Sequence, residues 1–189
     1  MSKRLLPLLL FLTAVSPAAT ISVDPSTQSV SLGTSASVDV NVADLGILTA
    51  PSLSTYDIDV AFDPTILSFT GATFGDGLDL FLFGLNIQAA TPGVGTVNLF
   101  DLSFDLPTDL DDLQADAFKL FTLTFDTIGP GTSPITLSVN AFGDSLGDPL
   151  DVTPTSGELT VTASVPEPST IGLLLAGLLV IGRRRLTAR

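Results

Sequence analysis

The middle of the chain alternates apolar and polar residues with a period of two, and no other feature of the sequence constrains its fold as strongly. In the stretch "SVDVNVAD", Val38, Val40 and Val42 are the apolar positions. Asp39 and Asn41 stand between them. Because successive residues of a strand point to opposite faces of a sheet, this alternation predicts strands with one buried face. The stretches "STYDIDVAFDP", "LFTLTFD", "ITLSVNA" and "GELTVTA" repeat the pattern.

Turn-forming sequences separate these stretches. They include "DPS" at residue 24, "FGDG" at 74, "TPGVG" at 91, "GPGTSP" at 129 and "LGDPL" at 146, where Pro and Gly favour the backbone angles of turns. Seven or more short strands with almost no helix predict an all-β fold, a β-sandwich of two sheets. The residues expected to face inward in the second stretch are Tyr56, Ile58, Val60 and Phe62.

The stretch "VNLFDLSF" breaks the alternation. Val97 and Leu99 occupy odd positions, whereas Phe100, Leu102 and Phe104 occupy even ones. Such a change of phase predicts a β-bulge or a strand that passes from one sheet to the other.

The stretch "PTDLDDLQADAF" is the one candidate helix of the middle region. Thr108 or Asp109 is expected to cap its first turn. Leu110, Leu113 and Ala117 fall on one side of such a helix, so we expect one or two turns that pack this side on the core.

The first residues, "MSKRLLPLLLFLTAVSPAAT", have the order of a secretory signal peptide. A basic pair precedes an apolar run at residues 5–15, and small residues follow. We expect a signal helix at residues 1–18 and cleavage in the region of Ser16, Ala18 and Ala19, preferably after Ala18. A transmembrane or buried core helix is disfavoured because Pro7 interrupts a short run.

The other end holds a short apolar segment, residues 171–182, followed by Arg183, Arg184 and Arg185. Twelve residues of helix measure about 18 Å, whereas a hydrocarbon core is about 30 Å thick. The arginines favour the cytoplasmic side and stop translocation. This C-terminal hydrophobic helix is therefore either a short permanent anchor or a sorting signal that holds the chain briefly.

The segment at residues 164–189, "SVPEPSTIGLLLAGLLVIGRRRLTAR", resembles the PEP-CTERM sorting signal of Gram-negative bacteria. The resemblance implies processing by exosortase, a membrane-embedded cysteine protease, after transient anchoring in the inner membrane. It also implies a destination at the cell surface or outside the cell, in association with exopolysaccharide and biofilm. The residues that carry it are Val165, Pro166, Glu167 and Pro168, with the stop-transfer cluster Arg183, Arg184 and Arg185.

Residues 19–163 resemble cohesin modules in two places, "YDIDVAFDPTILSFTGATFGD" and "DAFKLFTLTFDT". The resemblance implies a β-sandwich of the nine-stranded jelly-roll type, related in fold to carbohydrate-binding modules. It also implies a dockerin-like protein or a polysaccharide as a partner. No dockerin-contacting residue can be assigned from these two segments.

The charge of the middle region limits its partners. Between residues 19 and 165, nineteen acids stand against Lys119 alone, a net charge of −18. Such a domain does not bind nucleic acid, and anionic lipid surfaces repel it. Calcium is the cation that suits carboxylates in turns, although no stretch matches the EF-hand loop, and we expect no other cofactor. The candidate ligands are Asp109, Asp111 and Asp112 in one cluster and Asp144, Asp148 and Asp151 in another.

Catalysis has little support in the sequence. The chain has no histidine, and Lys119 is expected to be solvated or paired with an acid. Asp57 and Asp59 share a strand face about 7 Å apart, a spacing that suits a hydrolase but that a solvated face explains more simply. The phenylalanines near turns, Phe74, Phe81, Phe83 and Phe142, are expected to pack in the core and not to form a sugar-stacking surface.

Together these features predict an exported, non-enzymatic protein of the cell surface or extracellular matrix. The alternative is a cohesin-type binding module for a dockerin-like protein or a polysaccharide. A dockerin partner and an exopolysaccharide destination both rest on the two resemblances, and the sequence leaves both open.

Overall fold

The computed structural model describes residues 18–163. Within that range the chain forms strands and one short helix. The elements are β1 (Ala19–Asp24), β2 (Thr27–Ser31), β3 (Ser35–Ala43), β4 (Leu53–Ala61), β5 (Leu67–Phe74), β6 (Ile87–Pro92), β7 (Thr96–Leu102), α1 (Pro107–Leu113), β8 (Phe118–Thr127), β9 (Gly131–Asp144), β10 (Val152–Thr155) and β11 (Gly157–Thr162).

The strands form two facing sheets, as the alternation predicts. The five-stranded sheet has the order β10-β1-β3-β8-β5, and the six-stranded sheet has the order β2-β11-β9-β4-β7-β6. Both sheets are mixed, because β1 pairs in parallel with β10 and β2 with β11. The all-β, two-sheet sandwich is therefore confirmed.

The inward faces of the strands meet in a single apolar core. Tyr56, Ile58 and Val60 are fully buried, as are Phe121 and Phe125 of the opposite sheet. The hydroxyl of Tyr56 donates to the carbonyl of Leu120 at 3.2 Å, so this buried polar atom is satisfied. The inward parity predicted for these stretches is confirmed.

The expectation of a bulge or sheet change within "VNLFDLSF" is wrong. β7 pairs with β4 and β6 without any shift of register. Val97, Leu99 and Asp101 all point inward, and Phe100 points outward. The apparent change of phase arises because a carboxylate, Asp101, occupies an inward position.

The chain instead passes from one sheet to the other between consecutive short strands, once near the start and once near the end of the described range. β1 lies in one sheet and β2 in the other, and the same holds for β10 and β11. Prolines are compatible with such breaks because a strand interior requires the N–H that Pro lacks; Pro25 stands between β1 and β2.

The helix has the expected length of at most two turns, but it is less buried than expected. Leu106 takes the N-cap position, with Pro107 at the first turn, and no side chain caps the helix. Leu110 is buried as predicted, but Leu113 is exposed and Ala117 lies beyond the helix. The prediction of a Thr108 or Asp109 cap is therefore wrong, because Pro107 already supplies the φ angle of the first turn.

The register of β9 defines two ends of the sandwich. Its first residue, Gly131, pairs with Val161 of β11, and its last, Asp144, pairs with Leu53 of β4. Gln114, just after α1, hydrogen-bonds both the N–H and the carbonyl of Leu53, at 2.6 and 2.8 Å. We call this the α1 end; the chain leaves the described range at the opposite end.

None of the residues in the range 18–163 forms a helix that is long and apolar enough to cross a membrane. The expected signal helix and the expected C-terminal hydrophobic helix lie outside the described residues, as do Ser16, Val165, Pro166, Glu167, Pro168 and the three arginines at 183–185. Ala18 precedes β1, and Ala19 is its buried first residue. The position of signal cleavage remains a prediction.

Candidate functional site

The outer face of the six-stranded sheet carries a group of carboxylate and amide side chains on three adjacent strands. Asp57 and Asp59 stand on β4, Asn98 on β7 and Asn140 on β9. The pairing register places Asn98 beside Asp59. We call these four residues the amide–carboxylate cluster.

A bulge brings Asn140 into this cluster. The register between β4 and β9 shifts between Asp57 and Ile58, so that Asp57 pairs with Ala141 and Ile58 with Val139. Asn140 is the additional residue, and both it and Ala141 are exposed. A regular strand would have placed one of two successive residues inward, whereas the bulge leaves both outside.

The two amides hold the two carboxylates together. Nδ2 of Asn98 donates to Oδ1 of Asp57 at 2.5 Å and to Oδ1 of Asp59 at 2.9 Å. Nδ2 of Asn140 donates to Oδ1 of Asp57 at 3.1 Å and to Oδ2 of Asp59 at 2.9 Å. Hydrogen bonds from Asn140 and then from Asn98 lower the pKa of Asp59, because they stabilise the charged carboxylate.

One carboxylate oxygen of the cluster accepts no hydrogen bond from either amide. Within residues 18–163, Oδ2 of Asp57 accepts no hydrogen bond. Two carboxylates that amides hold in place, with a spare acceptor oxygen, suit the recognition of hydrogen-bond donors on a partner. Hydrolysis by paired carboxylates requires one carboxyl group to keep a proton near neutral pH, and the lowered pKa of Asp59 opposes that role for Asp59. Asp57 and Asp59 therefore share the outer face of the sheet, as the sequence predicts, and two amides hydrogen-bond both of them.

Apolar side chains continue this outer face toward the sheet edge. Phe100 pairs with Asp57 across β7 and β4, and Leu102 pairs with Thr55. On β6, Ile87 pairs with Leu102, and Ile87 is exposed. Phe100, Leu102 and Ile87 thus place apolar area beside the carboxylates of the cluster.

A buried carboxylate lies behind the apolar half. Asp101 is 1% exposed and accepts hydrogen bonds from the side chains of Asn86 at 3.2 Å and Gln88 at 3.0 Å. Burial raises the pKa of Asp101 to about 6, although these hydrogen bonds act in the opposite direction. Burial also raises the pKa of Tyr56, and the nearby Asp101 adds to this rise.

The two groups of candidate calcium ligands lie near each other in the structure, and carboxylates of both groups accept hydrogen bonds from the protein. Asp111 Oδ1 accepts from the hydroxyls of Ser52 at 2.5 Å and Ser145 at 2.9 Å. Asp144 Oδ1 accepts from the N–H groups of Leu146 and Asp148 in the turn after β9. Among residues 18–163 no group of three or more carboxylates is placed to hold a metal ion. The remaining candidates are Asp109, Asp112 and Asp151, and Asp112 and Asp151 are exposed.

The other residues considered for chemistry are also located. Lys119 lies 3.7 Å from Asp39 on the exposed face of the five-stranded sheet. Phe142 is buried and Phe74 packs against the core, as predicted. Phe81 and Phe83 are exposed, so their assignment to the core is wrong. Their turn carries them outward at the α1 end.

Comparison with known proteins addresses the tail and the sandwich separately. Residues 164–186 match the family model described as the PEP-CTERM protein-sorting motif. No curated protein sequence matches this chain significantly.

Solved structures resemble the sandwich at low sequence identity. The sixth cohesin of scaffoldin B from Acetivibrio cellulolyticus, in complex with a dockerin, is 20% identical with a TM-score of 0.62, over 77% of this chain and 100% of that one. A structure of a type I cohesin–dockerin complex from Clostridium thermocellum is 15% identical with a TM-score of 0.61, over 77% of this chain and 100% of that one. A non-cellulosomal cohesin from the archaeon Archaeoglobus fulgidus is 14% identical with a TM-score of 0.57, over 82% of this chain and 97% of that one.

These likenesses establish the fold, because such low identity does not transfer a binding site. The predicted resemblance to cohesins is confirmed at that level, and the predicted sorting motif is confirmed in the tail. The chain therefore joins a β-sandwich of the cohesin fold to a C-terminal PEP-CTERM sorting motif.

Proposed function

We propose that this chain is an exported, non-enzymatic binding protein, whose sandwich presents the outer face of β6, β7, β4 and β9 to a protein partner. The observation that carries the proposal is the amide–carboxylate cluster beside Phe100 and Leu102. Its carboxylates are oriented by two amides, and one acceptor oxygen of Asp57 is left for a partner. Prearranged polar groups next to apolar area bind with a smaller entropy loss than mobile ones.

A dockerin-like module is the partner that this proposal favours. Two of the similar structures are complexes of a cohesin with a dockerin. The face described here suits a folded protein better than a polysaccharide chain, because sugar binding usually uses several exposed aromatic rings and, within residues 18–163, the one aromatic side chain of this face is Phe100. A polysaccharide remains the second candidate partner.

A non-enzymatic role is supported by the chemistry of the face. The chain contains no histidine, and the amides of the cluster lower the pKa of Asp59 and so favour its charged form. Turnover of a polysaccharide by the purified protein, lost in Asp57→Asn, would contradict this part of the proposal.

The sorting motif supports export and passage through a membrane. We propose that exosortase removes the tail after transient anchoring in the inner membrane of a Gram-negative bacterium. The sandwich then remains at the cell surface or in an extracellular matrix rich in exopolysaccharide, as in a biofilm. The stop-transfer arginines at 183–185 and the Pro-Glu-Pro sequence at 166–168 would be absent or terminal in the mature chain.

The binding face is tested by affinity capture from the exported fraction of the host, with Asp57→Ala/Asp59→Ala as the altered protein. Asp39→Ala is the matched control, because it removes a carboxylate from the outer face of the other sheet. We expect capture of a protein with a dockerin-type sequence, at least about tenfold reduced by the double substitution and retained by the control. Equal loss in both variants, or binding only on a glycan array, would contradict the protein-binding role.

Processing is tested by the intact mass of the protein recovered from the cell surface. We expect a chain that begins near Ala19 and ends near the Pro-Glu-Pro sequence. Recovery of a surface chain that still contains Arg189, from a host that has exosortase, would refute the sorting part of the proposal while leaving the binding part standing.

A further inference from the structure

The α1 end of the sandwich holds an apolar groove that is separate from the amide–carboxylate cluster. It forms where residues 75–86, which connect β5 to β6 between the two sheets, pass the segment between β7 and α1. The groove has a volume of about 300 Å³. Its apolar lining consists of Phe81, Phe83, Leu85, Phe104 and Leu106. We call it the α1 groove.

The connecting segment is built to keep its large side chains in solvent. Asp79 accepts hydrogen bonds from the N–H of Phe83 at 3.0 Å and of Gly84 at 2.7 Å. The turn that results places Leu82 at a φ of 55°, which is unfavourable for a residue with a branched side chain. Leu82 and Phe83 are 71% and 69% exposed. Strain that holds apolar groups outward is typical of functional segments.

The two rings form a single surface. The rings of Phe81 and Phe83 are stacked, with centroids 5.7 Å apart and planes inclined by 21°. Of the large hydrophobic side chains that are exposed among residues 18–163, only Val94 and Ile128 lie at the opposite end. The apolar exposure is therefore concentrated at one end, as at a binding site, and is not scattered as on an ordinary surface.

Carboxylates surround the apolar lining. Asp79, Asp105 and Asp109 line the same groove. The one cation of the described residues, Lys119, is paired with Asp39 on the outer face of the other sheet. The groove thus combines apolar area with negative charge, and its occupant must bring apolar side chains and positive charge.

Three other occupants fit less well. A second copy of this chain carries the same charge of −18 in its middle region and is repelled. An anionic lipid surface is repelled for the same reason. A polysaccharide brings no positive charge to the three carboxylates.

We propose that the α1 groove is a second binding site, which takes a basic amphipathic helix of a partner protein. None of its lining residues belongs to a strand, so the occupant inserts side chains and does not add a strand to a sheet. Leucine-type side chains of the helix contact Phe81, Phe83 and Phe104, and lysines or arginines at its rim face Asp79, Asp105 and Asp109.

The probe is a fluorescent synthetic peptide of leucines and lysines in amphipathic order, with a peptide of the same composition in scrambled order as its control. Anisotropy is measured with the protein as it is recovered from the cell surface. We expect the ordered peptide to bind about tenfold more tightly than the scrambled one. Equal affinity of the two peptides, or no binding, overturns the proposal.

Matched variants locate the site. Phe81→Ser/Phe83→Ser should weaken binding at least about tenfold, whereas Val94→Ser/Ile128→Ser, at the opposite end, should change it less than about twofold. Asp109→Lys should weaken binding more than Glu158→Lys, which reverses an exposed charge away from the groove. All four positions affected by the apolar substitutions are exposed, so the fold is retained and equal melting temperatures verify it.

Other results would assign the groove differently and overturn the proposal. These are equal effects of the groove variants and their controls, or dependence of self-association, anionic-vesicle binding or polysaccharide binding on Phe81 and Phe83. Because Asp57 and Asp59 are unchanged in these variants, failure here leaves the proposed function of the outer face untouched.

Discussion

Asp101 is the residue that departs furthest from the alternation of its strand. An inward position in a sandwich normally holds an apolar side chain, yet the inward position of Asp101 on β7 holds a buried carboxylate. It accepts hydrogen bonds from Asn86 and Gln88, which flank Ile87 at the start of β6. A buried carboxylate with neutral donors is satisfied in its hydrogen bonds but keeps the cost of a desolvated charge.

We predict that Asp101→Asn changes the pH dependence of stability. Because the pKa of Asp101 is raised to about 6 by burial, its contribution is complete below the ordinary carboxyl range and is lost as the pH rises through 6. At pH 7.5 the charged form costs about 2–3 kcal/mol. Removal of that charge should offset the hydrogen bond lost by the substitution.

Urea unfolding at pH 4 and pH 7.5 measures this effect. At pH 4 the wild-type protein should have a larger free energy of unfolding than Asp101→Asn. At pH 7.5 the free energy of unfolding of Asp101→Asn should equal or exceed that of the wild type. Titrations of carboxylates distant from Asp101 are shared by both proteins and largely cancel in the difference. A difference between the two proteins that is independent of pH would contradict the prediction.

At the scale of elements, the connection from β5 into the segment at residues 75–86 depends on a close backbone approach. A Cβ atom on Gly75 would lie 1.9 Å from the carbonyl oxygen of Lys119 in β8. The N–H of Gly75 donates to the carbonyl of Leu120 at 2.8 Å. The glycine thus lets the chain leave the five-stranded sheet without losing the β8 hydrogen bond, which positions the segment that carries Phe81 and Phe83.

We predict that Gly75→Ala destabilises the domain by about 1–3 kcal/mol, because backbone must move to accommodate the methyl group. Gly71, in β5, is the matched control, since a Cβ there meets nothing within 4 Å. Gly71→Ala should change the free energy of unfolding by less than about 0.5 kcal/mol. Denaturant midpoints of the two variants measure the contrast, and equal midpoints would show that the close approach is not limiting.

At the scale of the whole molecule, charge and apolar area are distributed unequally. The middle region carries a net charge of −18, which opposes compaction through self-repulsion. The candidate calcium ligands Asp111 and Asp144 already accept hydrogen bonds from the protein. Cations can therefore stabilise the fold either at a specific site or by screening, and the two effects are separable.

We predict that millimolar calcium chloride raises the melting temperature by about 2–4 °C, an effect of about 1 kcal/mol, and that EDTA reverses the rise. Sodium chloride at equal ionic strength is the control for screening. If both salts raise the melting temperature equally, calcium has no specific structural role and general screening explains the stabilisation.

The sequence by itself determined the strands β3, β4, β8, β9 and β11, the parity of Val38, Tyr56 and Phe125, and the sorting motif, because these depend on a local period and a contiguous order of residues. Only the tertiary structure decided that Asp101 is buried, that a bulge brings Asn140 beside Asp57 and Asp59, and that Phe81 and Phe83 are exposed. Asn98 could have been placed opposite Asp59 from the register of β4 and β7, had that register been known. The physical reason is that burial and contact across strands depend on pairing between residues far apart in the chain, which a period of two leaves undetermined.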